Sequence, residues 1–445
     1  MPVFTHAIAA EESHKGEDAP AAFEHPDGVA AFAIFDGHGG KNCSHPCASL
    51  KPEGVLPRLL SGGKLPTVKM AEDVFWTVDA LLGEEMAARG DHGGSTATVL
   101  AVEPQGPALS CLLAWVGDST ACTVDMRAQG PLSMHHTTQN HSPDVEAEAA
   151  SLHYLADVYH RIYKDADRAA HQAKKAAKQE KKAAAEAAEA AAGRGDDDED
   201  GGEGGGGGGE AEATAAEQAQ AAQPEKPLPT PEVVGAALKA MGKPHGEAEV
   251  RHVLRAFERE RLVGKCILGS DGQPKGGRYR RNVCIYRRPA KKDPNRPLCI
   301  ATHEDPYSSH HRDLQMTRSI CDWTKTVWIL PHPQTRTFTV EPGAHLRLIL
   351  ASDGLWDVVG HEQAASLARK AESADEAAKA LLAAAHHVYI DVRGLERPGD
   401  DTTVLVVDLN PSELPLEPWA PKAAVGIRSK QAAAGAGGPG CCVAQ

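Results

Sequence analysis

Apolar positions along the chain come in short unbroken runs, and several of those runs meet an aspartate. Residues 28–40 read GVAAFAIFDGHGG, an apolar run of strand length that breaks at once into Asp-Gly-His-Gly-Gly. A buried strand that delivers polar groups to its exposed end has this pattern. Residues 95–102 (STATVLAV) and 109–118 (LSCLLAWVGD) read as two further buried strands, the second ending in Asp118. Residues 346–359 (LRLILASDGLWDVV) form a strand that ends in Ser-Asp-Gly, and 399–409 (GDDTTVLVVDL) a strand led in by Asp400 and Asp401. Between these runs the period changes. Val68, Val74, Phe75, Val78, Leu81, Leu82 and Met86 recur at helical spacing, and 361–388 is a second, long amphipathic helical pattern.

The pattern fails in the middle of the chain. Residues 165–192 are Ala, Lys and Glu with almost no large apolar side chain, which favours helix by propensity but offers no face to bury. Acidic and then polyglycine sequence follows to 209, so 165–225 reads as a low-complexity insertion in one domain spanning 1–409, with a flexible tail over 410–445. Helical apolar spacing returns over 231–261, and 275–296 is strongly basic, either a solvated loop or a docking surface for acidic phosphoproteins or an anionic membrane. The net charge of −14 owes much to 194–210, which holds seven acidic residues and one basic. The remainder is only mildly acidic, which argues against nucleic acid as a partner.

The aspartates carry the chemistry. A single aspartate at a strand end is ordinarily a turn former or helix cap. Asp36, Asp118, Asp353 and Asp400 repeat the arrangement, and the strands of one sheet bring their ends together. Converging carboxylates raise one another's pKa unless a cation lies between them, and hard oxygen ligands suit Mg²⁺ or Mn²⁺. Spacing alone leaves this metal site and the turn-and-cap reading about equally open.

Five segments in order resemble the motif set of the PPM (type 2C) protein Ser/Thr phosphatases: FDGHGG at 35–40, GGSTA at 93–97, WVGDST at 115–120, LILASDGLWDVV at 348–359 and GDDTTVLVVDL at 399–409. A sixth, LQMTRSICDW at 314–323, is similar to the family's Thr-Arg-Ser-Ile-Gly-Asp segment. The resemblance implies an α/β fold, a four-layer α-β-β-α sandwich of two antiparallel sheets flanked by helices. It implies a metal-dependent phosphatase acting on phosphoserine and phosphothreonine proteins, with two or three Mg²⁺ or Mn²⁺ ions and attack by metal-bound hydroxide. By the same resemblance Asp36 bridges both metals and the Gly37 carbonyl binds one. Asp353 and Asp400 complete the core, joined by the acidic pair Glu17 and Asp18. Asp118, Asp322 and Asp357 take positions linked to a further metal, and His38 matches the general acid.

Several positions depart from the family pattern. No arginine precedes the acidic pair, so Lys15 or His14 is left to hold the phosphate. Cys321 stands before Asp322 where glycine is usual, Asn140 replaces an aspartate before His141, Thr120 replaces a common arginine, and Asp401 an asparagine. The core ligands are intact, which favours an active enzyme; the missing arginine favours the alternative, a pseudophosphatase that binds or scaffolds.

The remaining features concern location. The N-terminus lacks the basic start and apolar core of a secretory signal, no apolar stretch is of membrane-spanning length, and the ten cysteines form no disulfide-scaffold pattern. An intracellular monomer, cytoplasmic or nuclear, is expected. Cys442-Val443-Ala444-Gln445 fits a prenylation box, and Cys441 beside it offers a palmitoylation site, which together would tether the protein peripherally to a membrane. His38, Cys43, His45 and Cys47 lie close in sequence but form only one knuckle, too few for a structural zinc site.

Overall fold

A computed structural model describes residues 4–91, 93–127, 134–135, 137–163, 227–266, 285–287, 298–300, 314–323 and 328–410. The 165–225 insertion, most of the 275–296 basic stretch, and the tail with Cys441 and Cys442 lie outside the described residues.

The chain opens with β1 (Phe4–Glu11), β2 (Ala19–Glu24), β3 (Ala30–Phe35) and the short β4 (Gly37–His38). Helices α1 (Ser44–Cys47), α2 (Val55–Leu59) and α3 (Val68–Arg89) follow. Next come β5 (Gly94–Ser95), β6 (Ala97–Gln105), β7 (Ala108–Val116), β8 (Thr120–Asp125) and β9 (Met134–His135). A helix over residues 146–163, α4, precedes α5 (Pro231–Ala240) and α6 (Glu247–Cys266). Three short strands, β10 (Ile285–Arg287), β11 (Leu298–Ile300) and β12 (Ile320–Cys321), lead to β13 (Gln334–Val340) and β14 (Leu346–Ala351). Helices α7 (Asp353–Trp356), α8 (His361–Lys370) and α9 (Ala374–His386) then precede the last strand, β15 (Thr402–Leu409).

Two five-stranded antiparallel sheets, ordered β1-β15-β14-β8-β9 and β13-β7-β6-β3-β2, face each other. Alternate side chains of both fill the space between them: Phe32, Ile34, Leu100 and Leu113 from one, Leu348, Leu350, Leu405 and Val407 from the other. The outer face of the second sheet is covered by Leu56, Leu59, Phe75 and Val78 of α2 and α3, and that of the first by Ala364, Ala368 and Leu381 of α8 and α9. The central strands β3, β6, β7, β14 and β15 are buried on both faces along most of their length, which is why they read as continuous apolar runs rather than alternating ones. The result is the four-layer α-β-β-α sandwich. A satellite core joins α4, α5 and α6 through Tyr159, Val234, Leu238, Phe257 and Trp328.

Two local patterns resolve differently from the sequence reading. The expected helix over 66–90 is α3, capped by the Thr67 hydroxyl, which accepts from the Met70 N–H, and closed by Gly90 at φ +74°. Val68 and Leu81 of its apolar set are nevertheless exposed. The long helix expected over 361–388 is two helices and a π-helical turn, His387–Val392. Ser373 starts the second by accepting from the Glu376 N–H, while the buried Arg347 guanidinium donates to the Ala368 and Ala371 carbonyls that end the first.

Candidate metal and phosphate site

Strand register brings the aspartates to one end of the sandwich. In the first sheet Ala351 lies opposite Thr120 on one side and Val404 on the other, so Asp353, Asp118 and the approach to β15 through Asp400 and Asp401 share an edge. In the second sheet Ile34 pairs with Thr98 and Ala97 with Val116, which carries Asp36 to the same edge. Asp36 is fixed through its backbone: its N–H donates to the Thr96 hydroxyl at 3.1 Å, and its carbonyl accepts from the Thr96 N–H at 2.9 Å. Gly37 is required by crowding. A Cβ there would lie 2.6 Å from the Ser44 hydroxyl and 2.7 Å from the Glu17 carbonyl oxygen.

The electrostatics describe one shared cluster. Burial, then the charges of Asp353, Asp18, Asp118 and Asp400, hold the Asp36 carboxyl well above the ordinary carboxylate range. Burial and the charges of Asp118, Asp400, Asp357 and Asp18 do the same to Asp353. Asp118 is raised to about 6 by burial with Asp357 and Asp400, against the lowering influence of His38. Asp18 is raised to about 7 by burial with Asp401 and Asp400, although hydrogen bonds from Thr403 and Ser352 pull it down. Burial and Asp400 also raise Asp357. Unlike a set of caps, these carboxylates oppose one another's ionisation.

Three further side chains shape the cluster. Lys15 sets its ammonium 2.8 and 2.6 Å from the two Asp400 oxygens. Burial pulls the Lys15 pKa down, but Asp400, Asp353 and Glu17 outweigh it and leave it raised. Asp401 braces the loop that carries Lys15: it accepts from the Ser13 N–H and hydroxyl at 2.6 and 2.7 Å and from the Glu17 N–H at 2.5 Å. Ser352 donates to Asp18 at 2.8 Å. The Glu17 carboxylate accepts from the Gly40 N–H at 2.6 Å, and His14 is exposed.

His38 stands beside the cluster and is held by Asp322. Its Nε2 lies 2.8 Å from both Asp322 oxygens, and Ser319 donates to the same carboxylate at 2.5 Å. Asp322 is fully buried, and both it and Cys321 have left-handed backbone, φ +45° and +69°. That conformation costs a non-glycine residue about 1–2 kcal/mol, so something must hold it. Asp79 on α3 does part of this, accepting from the Cys321 N–H at 2.7 Å and from the Trp323 indole at 3.1 Å. Gly83, one turn along α3, lets the Trp323 ring lie where a Cβ would be.

A divalent cation fits this donor set. The Asp18 and Asp118 Oδ1 atoms are buried with no hydrogen-bond partner, and each lies among carboxylates that raise its pKa. Among the described residues no three ligand-type side chains already enclose a single point. Asp400 is turned to Lys15, and Glu17 to the Gly40 turn. Of the residues expected from sequence, Asp36, Asp353, Asp118, Asp18, Asp400 and Asp357 share the cluster, Lys15 joins it, and the Asp322 carboxylate lies against His38. Asp79, Asp401, Ser352 and Thr96 were not anticipated as site residues. Asp401 was visible as a departure after Asp400, Thr96 and Ser352 stand inside the GGSTA and LILASDGLWDVV segments, and Asp79 carried no local signal.

The sequence model of protein phosphatase 2C matches residues 7–151 and 305–388, about half of the chain. The chain belongs to the protein phosphatase 2C family. It is similar to the Arabidopsis thaliana proteins named probable protein phosphatase 2C 25 (35% identical over 96 residues, 22% of this chain and 24% of that protein) and probable protein phosphatase 2C 5 (41% over 99 residues, 22% and 21%). It thus spans about a quarter of the length of these relatives. A crystal structure of a serine-threonine phosphatase 2C from Toxoplasma gondii shares the fold, with TM-score 0.51 at 15% identity, covering 91% of this chain and 95% of that one. The protein phosphatase 2C match ends before α5 and α6 and resumes after them.

Proposed function

We propose that this protein is a metal-dependent protein Ser/Thr phosphatase whose reacting centre is the aspartate cluster. The observation that carries the reading is the mutual raising of Asp36, Asp353, Asp118 and Asp18, with two buried carboxylate oxygens left unbonded. Asp36, Asp353, Asp400 and Asp18 would hold Mg²⁺ or Mn²⁺, with Asp118 on the side toward His38 and Asp357 beside Asp400. When bound, such ions neutralise phosphate charge and acidify water for attack on phosphorus.

The chain's own groups supply the rest. The Lys15 ammonium lies at the cluster rim and can take a phosphate oxygen in place of Asp400, as a point charge rather than a bidentate fork. Asp322 holds the His38 ring in place, and the imidazolium form of that ring would protonate a departing serine or threonine alkoxide. Asp401 keeps the Lys15 loop in place through its three hydrogen bonds. Phosphorylated proteins are the proposed substrates. A second reading, a binding protein without turnover, is favoured by one observation: Lys15 already neutralises Asp400.

Phosphate release from a phosphothreonine peptide separates the two. The enzyme reading predicts release that requires Mn²⁺ or Mg²⁺ and is abolished by EDTA. Peptide binding without release in either metal would support the scaffold instead.

A further inference from the structure

Helix α6 lies outside both family-matched stretches, yet one of its side chains reaches the backbone beside Asp322. Arg259 is almost fully buried. Its Nε donates to Asp79 Oδ2 at 2.8 Å, and its Nη2 donates both to Asp79 Oδ1 at 3.2 Å and to the Cys321 carbonyl. Asp79 in turn accepts the Cys321 N–H. Both polar groups of the left-handed Cys321 peptide are therefore gripped by this one ion pair, which bridges α3 and α6. Asp322 is the next residue, and its carboxylate holds the His38 ring.

We infer that Arg259, acting with Asp79, is a positioning residue for His38: it fixes the left-handed Cys321-Asp322 backbone and so aims the carboxylate that orients the imidazole. The inference rests on the proposed role of His38 as proton donor. The step it serves is a simple proton transfer. A water oxygen bonds to phosphorus as the bond from phosphorus to the serine or threonine oxygen breaks; the His38 N–H bond breaks with it, and its proton moves to that departing oxygen. Lysine at 259 would keep the charge but lose the planar fork that spans Asp79 and the Cys321 carbonyl. Glycine at 321 would remove the need for the grip, because it adopts positive φ without penalty.

Two substrates read this step separately. A phosphothreonine peptide leaves as a basic alkoxide that needs the proton, whereas p-nitrophenyl phosphate leaves as a stable phenolate that does not. With the full-length protein and Mn²⁺, His38→Ala sets the benchmark: kcat should fall on the peptide far more than on p-nitrophenyl phosphate. Arg259→Lys should reproduce that selectivity by on the order of tenfold, with the peptide KM little changed. Adding Cys321→Gly to Arg259→Lys should restore the peptide rate. Arg255→Met, which breaks the neighbouring α6–α3 ion pair with Asp73, should leave the substrate ratio unchanged.

Thermal melting of each variant identifies simple unfolding, which lowers both rates together. If His38→Ala is selective but Arg259→Lys is not, or if Cys321→Gly gives no rescue, the positioning role is wrong. Equal selectivity in Arg255→Met would assign the effect to helix docking and overturn it too. Loss of selectivity in His38→Ala itself would instead remove the proton-donor reading on which the inference rests.

Discussion

The Lys15 ammonium lies 2.6 Å from one carboxylate oxygen of Asp400 and 2.8 Å from the other, so a fixed cation already occupies one side of the aspartate cluster. Both side chains remain about a third exposed, which limits what the pair adds to stability. Its consequence is competition: a metal ion using Asp400 must displace the ammonium.

Lys15→Met therefore has opposite effects on the two ligands. Mn²⁺ affinity, measured by calorimetry, should rise by about 2- to 10-fold as Asp400 is released, while the KM for a phosphothreonine peptide should rise because a phosphate contact is lost. Unchanged Mn²⁺ affinity would show that Asp400 takes no part in metal binding.

The raised carboxylates give a pH dependence with a definite sign. Asp18 is raised to about 7 and Asp118 to about 6, above the ordinary carboxylate value near ~4 that the unfolded chain shows. Between those values the folded, metal-free protein binds more protons than the unfolded one, so its stability falls as pH rises through that window. With EDTA present, the melting temperature should be higher at pH 5.5 than at pH 8. Mn²⁺ should raise it more at pH 8, where the ligands are already ionised. A metal-induced increase of equal size at both values would contradict the shared cluster.

Arg347 tests the frame rather than the site. It is fully buried, pairs with both oxygens of Asp408 at 2.6 and 2.8 Å, and ends α8 through two carbonyls. Arg347→Met should cost about 3–5 kcal/mol in denaturant unfolding, because it strands the Asp408 charge in the core. Arg347→Met with Asp408→Leu should recover part of that loss. A single variant as stable as the wild type would mean that Asp408 reaches water or a proton by another route.

Much of the site was legible because its signals are local. An apolar run that stops at Asp-Gly marks Asp36 and Asp353 within a few residues; the same runs read as buried strands, and the layered sandwich came only from the family resemblance. The supports were not legible, since their partners lie far apart in sequence. Asp79 looks like one more polar position on an amphipathic helix, and only the fold brings Arg259 and Cys321 to it. Asp322 was grouped with the metal ligands by motif; the structure turns its carboxylate to His38. The break at Ser373 was missed because alanine-rich sequence carries the helical pattern across it.

The central claim is that Asp36 and Asp353 belong to a metal centre that performs phosphoester hydrolysis. The most direct measurement is Mn²⁺-dependent phosphate release from a phosphothreonine peptide by Asp36→Asn and Asp353→Asn, with thermal melting of both proteins alongside. Each substitution removes a charge from a cluster that opposes its own ionisation, so the EDTA-treated variants should melt no lower than the wild type while turnover falls by on the order of 10²-fold or more. Near-normal Mn²⁺-dependent turnover in either variant would contradict the account.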